Sequence, residues 1–125
     1  MNTQIEKGHT IRIALAERRI CISMDVLRQI GNPKYIQLFV NREKNSLFIK
    51  GSDVKEAQCF AVPARVYTDA EYKYRLTKSA FAEAIGLFCS WDSQGKYRLV
   101  GAPYADRVMR FSLADVERLD NSADV

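Results

Sequence analysis

The stretch Ser23-Met24-Asp25-Val26-Leu27-Arg28-Gln29-Ile30-Gly31 constrains the fold more than any other part of the chain. Ser23 stands where a helix N-cap belongs, with a hydroxyl to accept a backbone N–H of the first turn. Asp25 complements the positive end of the helix dipole. Val26, Leu27 and Ile30 make one apolar stripe. Gly31 ends the helix, and Asn32-Pro33 prevents its continuation. A helix of about two turns is not stable alone in water. It must pack on a sheet, and the flanking sequence supplies one.

Before the helix, Ile11, Ile13 and Leu15 alternate with Arg12 and Ala14, the period of a half-buried strand. Ala16-Glu17-Arg18 is a short polar break. Arg19-Ile20-Cys21-Ile22 is a second strand, so the two make a tight hairpin. After the helix, Tyr35 to Val40 is a β-prone run, Asn41 to Ser46 is a polar turn, and Leu47-Phe48-Ile49 returns as a strand. Residues 1–56 are therefore expected as a basic strand–strand–helix–strand–strand unit.

The second half repeats this order loosely. Tyr72 to Leu76 reads as a strand, with Thr77 placed like Ser23 as an N-cap. Lys78 to Ile85 reads as a helix with Phe81 and Ile85 inward. Lys96 to Val100 and Val108 to Phe111 read as strands, and Leu113 to Leu119 as a final short helical turn. Setting Leu76-Thr77 and Phe81 against Ile22-Ser23 and Leu27 aligns strand, cap and apolar helix position. Residues 57–71 are expected as a connecting strand or linker that Pro63 interrupts. Residues 72–120 are expected as a second, divergent β–α–β–β unit, and 121–125 as a disordered tail.

A chain of 125 residues suits one compact domain or two very small units. Its apolar runs fall short of the roughly 20 residues that span a bilayer. The N-terminus has no apolar signal region. The expectation is a cytoplasmic protein with no membrane association. Cys21, Cys59 and Cys89 form no CxxC pair, and apolar neighbours surround them, so they are expected as buried, reduced thiols.

The net charge of +4 is unevenly spread. Residues 1–64 carry ten Lys/Arg against six Asp/Glu, whereas residues 65–125 carry nine of each. A basic excess confined to one half hints at a polyanionic partner.

The run from Arg19 to Gly31 resembles the core of the AbrB (SpoVT-AbrB-like) swapped-hairpin transcription regulators. That core has a basic residue, an apolar strand, a break, an acid, a Leu/Arg-rich helix and a helix-ending glycine. Tyr35 to Ile49 resembles the family's closing hairpin, and the resemblance covers about a third of the chain. It implies a mainly β fold with short α-helices, an AbrB-like swapped-hairpin barrel in a tandem, pseudo-duplicated form. Family members form interleaved dimers whose β-layer presents arginines to DNA. The resemblance therefore implies a homodimer, or an intrachain pseudo-dimer in which one chain supplies the pairing internally.

Three DNA-contacting positions carry over. Arg12 lies on the first strand, Arg19 follows the hairpin turn, and Arg28 matches the second arginine of a helix-borne pair. A guanidinium can clamp phosphate in two places or read guanine O6 and N7. Arg18, Lys34 and Lys44 are further candidates. The chain departs from the pattern at Leu27, which takes the first position of the arginine pair, at Arg18, which replaces a turn glycine, and at Ser23, which replaces a proline. The same arginines also suit ordinary solvated charge on half-buried strands.

The aromatics Tyr35, Phe39, Phe48, Phe60, Phe81, Phe88, Trp91, Tyr97 and Phe111 could form a stacking platform for single strands. Their placement on alternating strands reads as core. His9 has no Cys or carboxylate at ligand spacing and no nucleophile partner. No phosphate loop, HExxH or paired-carboxylate motif is present. The expectation is a non-enzymatic, cofactor-free regulator that binds duplex DNA through Arg12, Arg19 and Arg28. The alternative is a β-rich interaction module, antitoxin-like or accessory, that binds a protein partner instead.

Overall fold

The computed structural model describes residues 9–119. In chain order the elements are β1 (Thr10–Ala14), β2 (Arg19–Ile22), α1 (Met24–Gln29), β3 (Tyr35–Asn41), β4 (Ser46–Ser52) and β5 (Phe60–Ala61). They continue with α2 (Arg65–Thr68), β6 (Tyr74–Leu76), α3 (Ala80–Cys89), β7 (Lys96–Ala105) and β8 (Val108–Arg118). The strands join in one antiparallel sheet of order β5-β3-β4-β8-β7-β1-β2-β6, curled into a half-barrel. The β7–β8 hairpin lies between the two hairpins of the first half, β1–β2 and β3–β4.

The inner face of the curl is the core. Strand alternation puts Ile11 and Ile13 of β1 opposite Ile22 and Ile20 of β2, and opposite Leu99 and Tyr97 of β7. On the other side, Leu47 and Ile49 of β4 face Phe111 and Met109 of β8. Val26, Leu27 and Ile30 at α1, with Ala82 and Ile85 of α3, complete the same cluster. Fully burying one such aliphatic side chain stabilises by roughly 1.5–3 kcal/mol. The short helix thus obtains from the sheet what its length denies it. Among the described residues, no helix is long and apolar enough to cross a membrane.

The caps of α1 follow the sequence. The Ser23 hydroxyl accepts the Val26 N–H at 3.4 Å. At the other end Gly31 takes φ +91°. The Gly31 and Asn32 amides donate to the Arg28 and Leu27 carbonyls at 3.0 and 2.9 Å. That pair of bonds is a Schellman motif, and only glycine enters its left-handed position without strain.

Four expectations need correction. The cap of α3 is Ser79, not Thr77: its hydroxyl accepts the Ala82 N–H at 3.2 Å. Lys78 at φ +53° interrupts the backbone first, and the Ser79 amide is held by the Arg18 carbonyl at 2.8 Å. The inward residues of α3 are Ala82, Ile85 and Gly86, while Phe81 is half-buried. Residues 113–118 are strand, because Val116, Glu117 and Arg118 pair with Leu99, Arg98 and Tyr97 across an irregularity in β7. A helical turn there would leave the first part of β7 without these partners. The three cysteines are half-buried and free, not buried. Cys21 alternates with Ile20 and Ile22 and so lies on the opposite face of β2. The segment 57–71 holds β5, Pro63 and the one-turn α2, whose Val66 is buried. The expected tail at 121–125 lies outside the described residues.

Candidate nucleic-acid interface

Residues between core positions on a strand point to the outer face of the sheet. Strand pairing sets Arg12 of β1 opposite Arg98 of β7 and opposite Cys21 of β2, and sets Cys21 opposite Arg75 of β6. One row across the sheet is therefore Arg98, Arg12, Cys21, Arg75. A second row two residues along is Lys96, Ala14, Arg19. Neighbouring strands lie about 4.8 Å apart, so the first row spans roughly 14 Å. Two shallow depressions of about 450 and 350 Å³ overlap at Arg12, Cys21 and Arg75. Arg19 and Lys96 line the first, and Lys73 the second.

Strands β1, β2, β6 and β7 contain no Asp or Glu. The acid nearest these rows in register is Glu117 of β8, which pairs with Arg98. Among the described residues, Arg12, Arg19, Arg75 and Lys96 make no ion pair. The Nε atoms of Arg19 and Arg98 are buried without a hydrogen-bond partner. Leaving a buried donor unpaired is unfavourable.

Of the residues singled out in the sequence, Arg12 and Arg19 share this face. Arg28 does not. It lies on α1, where its Nη1 meets Asp25 Oδ1 at 3.2 Å in an exposed i, i+3 pair. Leu27 beside it is fully buried, so a second helix-borne arginine would have to point into the core. Arg18 sits in the β1–β2 turn at φ +50° and lines a different depression with Glu83, Leu87 and Trp91. Lys34 precedes β3, and its backbone N–H donates to Asp53 at 3.4 Å. Lys44 lies in the β3–β4 turn, where its amide donates to Asn41 Oδ1 at 2.9 Å.

The cations that join Arg12 and Arg19 are Lys73, Arg75, Lys96 and Arg98, all from the second half. The balanced charge of residues 65–125 conceals them. Their alternation with buried Tyr74, Tyr97 and Leu99 is visible in the sequence, but the pairings of β1 with β7 and β2 with β6 are not.

The same outer face carries a second patch at the other end of the sheet. Phe39 of β3 lies opposite Phe48 of β4. Phe48 meets Tyr104 of β7 edge-on, with ring centroids 4.8 Å apart. These rings, with Val108, Lys44 and Lys50, line a hollow of about 350 Å³. Phe39 and Tyr104 are 46% and 50% exposed, so Phe39 departs from the expectation that its ring is core, and Tyr104 is an aromatic the sequence reading did not single out. The other rings are used for packing: Trp91 stacks on Tyr97 at 4.3 Å, and Arg42 covers Phe88.

Among the described residues, no group of three or more His, Cys, Asp and Glu side chains could hold a metal ion. No family model, no curated protein and no solved structure matches the chain.

Proposed function

We infer that the protein is a non-enzymatic DNA-binding regulator that meets duplex DNA with the outer face of β7, β1, β2 and β6. The observation that carries this reading is the row of Arg12 between Arg98 and Arg75, with Arg19 and Lys96 alongside. Like-charged side chains opposite one another on a sheet are destabilising. Their accumulation on strands without a single carboxylate has a natural counterpart in a polyanion. A span of roughly 14 Å is comparable with the roughly 12 Å width of the major groove of B-DNA.

The insertion of the β7–β8 hairpin between the two N-terminal hairpins supports an AbrB-like arrangement in which one chain pairs internally. In that arrangement the second half, as a divergent copy, replaces the partner protomer. Arg75, Lys96 and Arg98 then stand in for cations that a partner chain would bring.

Fluorescence anisotropy with a labelled mixed-sequence duplex tests the reading. Binding should weaken steeply as salt rises, with a slope of about 0.9 per phosphate contact. The triple variant Arg12→Ala, Arg19→Ala, Arg75→Ala should abolish it. No binding at low salt, or binding indifferent to the triple change, removes this reading.

The alternative, a protein-interaction module, is favoured by one observation. Leu87 of α3 is 77% exposed beside a hollow of about 300 Å³ that Trp91 and Arg18 help to line. A purified partner whose binding is lost with Leu87→Asp, with no retention of duplex DNA, would select it.

A further inference from the structure

We propose that the aromatic patch on β3, β4 and β7 is a stacking platform for unpaired nucleotides, distinct from the arginine rows that meet duplex backbone. This rests on the reading of the outer face as a phosphate-binding surface and extends it to a second ligand. Phe39 and Tyr104 each show about half their surface to solvent on one face of one sheet. Phe48, 9% exposed, lies opposite Phe39 in register and in edge contact with Tyr104, so it joins the two exposed rings. The strands below them are rigidly paired: β4 has β3 on one side and β8 on the other. Exposed aromatics held this way present a ready π-face to a base.

The charged side chains that line the hollow are cations. Lys44 and Lys50 line the same hollow. Arg110 lies beside Phe48 in register, and its guanidinium is fixed by Ser46 Oγ at 2.8 Å and by the Lys44 carbonyl at 3.4 Å. Strands β3 and β4 contain no Asp or Glu. An aromatic pair ringed by cations fits a ligand with flat rings and a phosphate backbone, which is an unpaired nucleic-acid strand. A second copy of this chain fits poorly, because the same face on a partner would bring Lys44, Lys50 and Arg110 against their own kind. Stacking of successive base pairs hides the faces of bases in a duplex, so the patch and the arginine rows select different states of the strand.

The test is anisotropy with a labelled 12-nucleotide oligothymidylate, the equivalent oligouridylate and a duplex, on the full chain. Phe39→Ala with Tyr104→Ala should weaken both single strands by about tenfold or more and leave the duplex within about twofold. Phe39→Leu with Tyr104→Leu keeps the apolar bulk and removes the π-faces. It should give the same loss, which separates stacking from collapse of the fold as monitored by circular dichroism. Tighter binding of one oligonucleotide assigns the patch to DNA or to RNA, with either outcome in support. Duplex binding without single-strand binding overturns this proposal and leaves the duplex reading intact. Single-strand binding unaffected by the leucine pair overturns it too, as does a dimer in sedimentation that those changes dissociate. Failure of all three nucleic acids overturns both readings.

Discussion

The Arg107 side chain donates from Nε to the Ile30 carbonyl at 3.0 Å, across 77 positions of sequence. The same guanidinium reaches the Gly31 carbonyl at 3.5 Å and pairs with Asp53 at 3.2 Å. The β7–β8 turn is thereby fastened to the open end of α1. Carbonyls at the end of a helix have no partner within it, and Arg107 supplies one while placing a cation at the negative end of the dipole. The hydrogen bond from Arg107 is the main cause that holds the Asp53 carboxyl below its ordinary value of 3.8.

Arg107→Ala should lower stability by about 1–3 kcal/mol, the effect of leaving carbonyls of a helix end unpaired. Gly31→Ala should also destabilise, by about 1 kcal/mol or more, because a side chain there is strained at positive φ. Its Cβ would also come within 2.9 Å of Arg107 Nε. Lys34→Ala, an exposed change nearby, should stay within about 0.5 kcal/mol. Urea denaturation of the three variants checks the order.

Ser79→Ala should cost about 1 kcal/mol through loss of the α3 cap, whereas Thr77→Ala should be nearly neutral. Ser79 is buried and its hydroxyl is engaged by the Ala82 amide. Equal effects of the two changes in thermal melts would contradict the assignment of the cap.

Stability should fall with alkali between pH 10 and about 12. Burial, assisted by the Asp53 charge, raises the Tyr67 hydroxyl from 10.0 to about 12. The hydroxyl donates to the Pro33 carbonyl at 2.7 Å. The native state keeps this proton longer than the unfolded chain does. The contribution of Tyr67 to stability is therefore full below pH 10 and is lost as the pH rises through the native value. In Tyr67→Phe the slope in this window should be smaller, as read from urea midpoints against pH.

Arg28→Ala should leave duplex affinity unchanged, because its guanidinium lies on α1 in a pair with Asp25. Arg75→Ala should weaken binding and reduce the salt slope by about 1. Glu117→Gln should strengthen binding by releasing Arg98 from its pair. Anisotropy titrations at three salt concentrations distinguish these outcomes. An effect of Arg28 as large as that of Arg75 would move the contact surface to α1.

Bound duplex should shield Cys21 from alkylation and spare Cys59. Cys21 sits in the row between Arg12 and Arg75, while Cys59 lies next to β5 at the far edge of the sheet. Cys89, whose thiol burial raises, should react slowest in the free protein. Mass spectrometry after timed treatment with iodoacetamide measures all three.

How far the sequence shows the fold varies by element. The first half is legible because its signals are local. Ser23 caps α1, Gly31 closes it, and the two hairpins follow from alternation around short polar turns. The second half is less so. Thr77 reads as the cap of α3, but the structure uses Ser79, whose amide is bound by the Arg18 carbonyl of a turn distant in sequence. Leu113 to Arg118 carries a mixed pattern, and it becomes strand because β7 offers an edge to pair with. Cys21 and Phe39 have apolar neighbours in sequence, yet strand alternation puts both on the outer face.

The sequence by itself determined the short capped helix, the hairpins around it, and the outward direction of Arg12 and Arg19. These depend on side-chain period and on turn chemistry within a few residues. Only the tertiary structure decided which strands lie beside one another. The insertion of β7–β8 between the two N-terminal hairpins brings Lys96 and Arg98 next to Arg12. The pairing of β6 with β2 adds Arg75. The same packing places α1, and Arg28 with it, away from the face, while the Arg28–Asp25 pair is local to the helix. Charge counts cannot reveal this, because a basic surface is a matter of proximity. In this chain proximity is set by backbone pairing between residues up to about ninety positions apart.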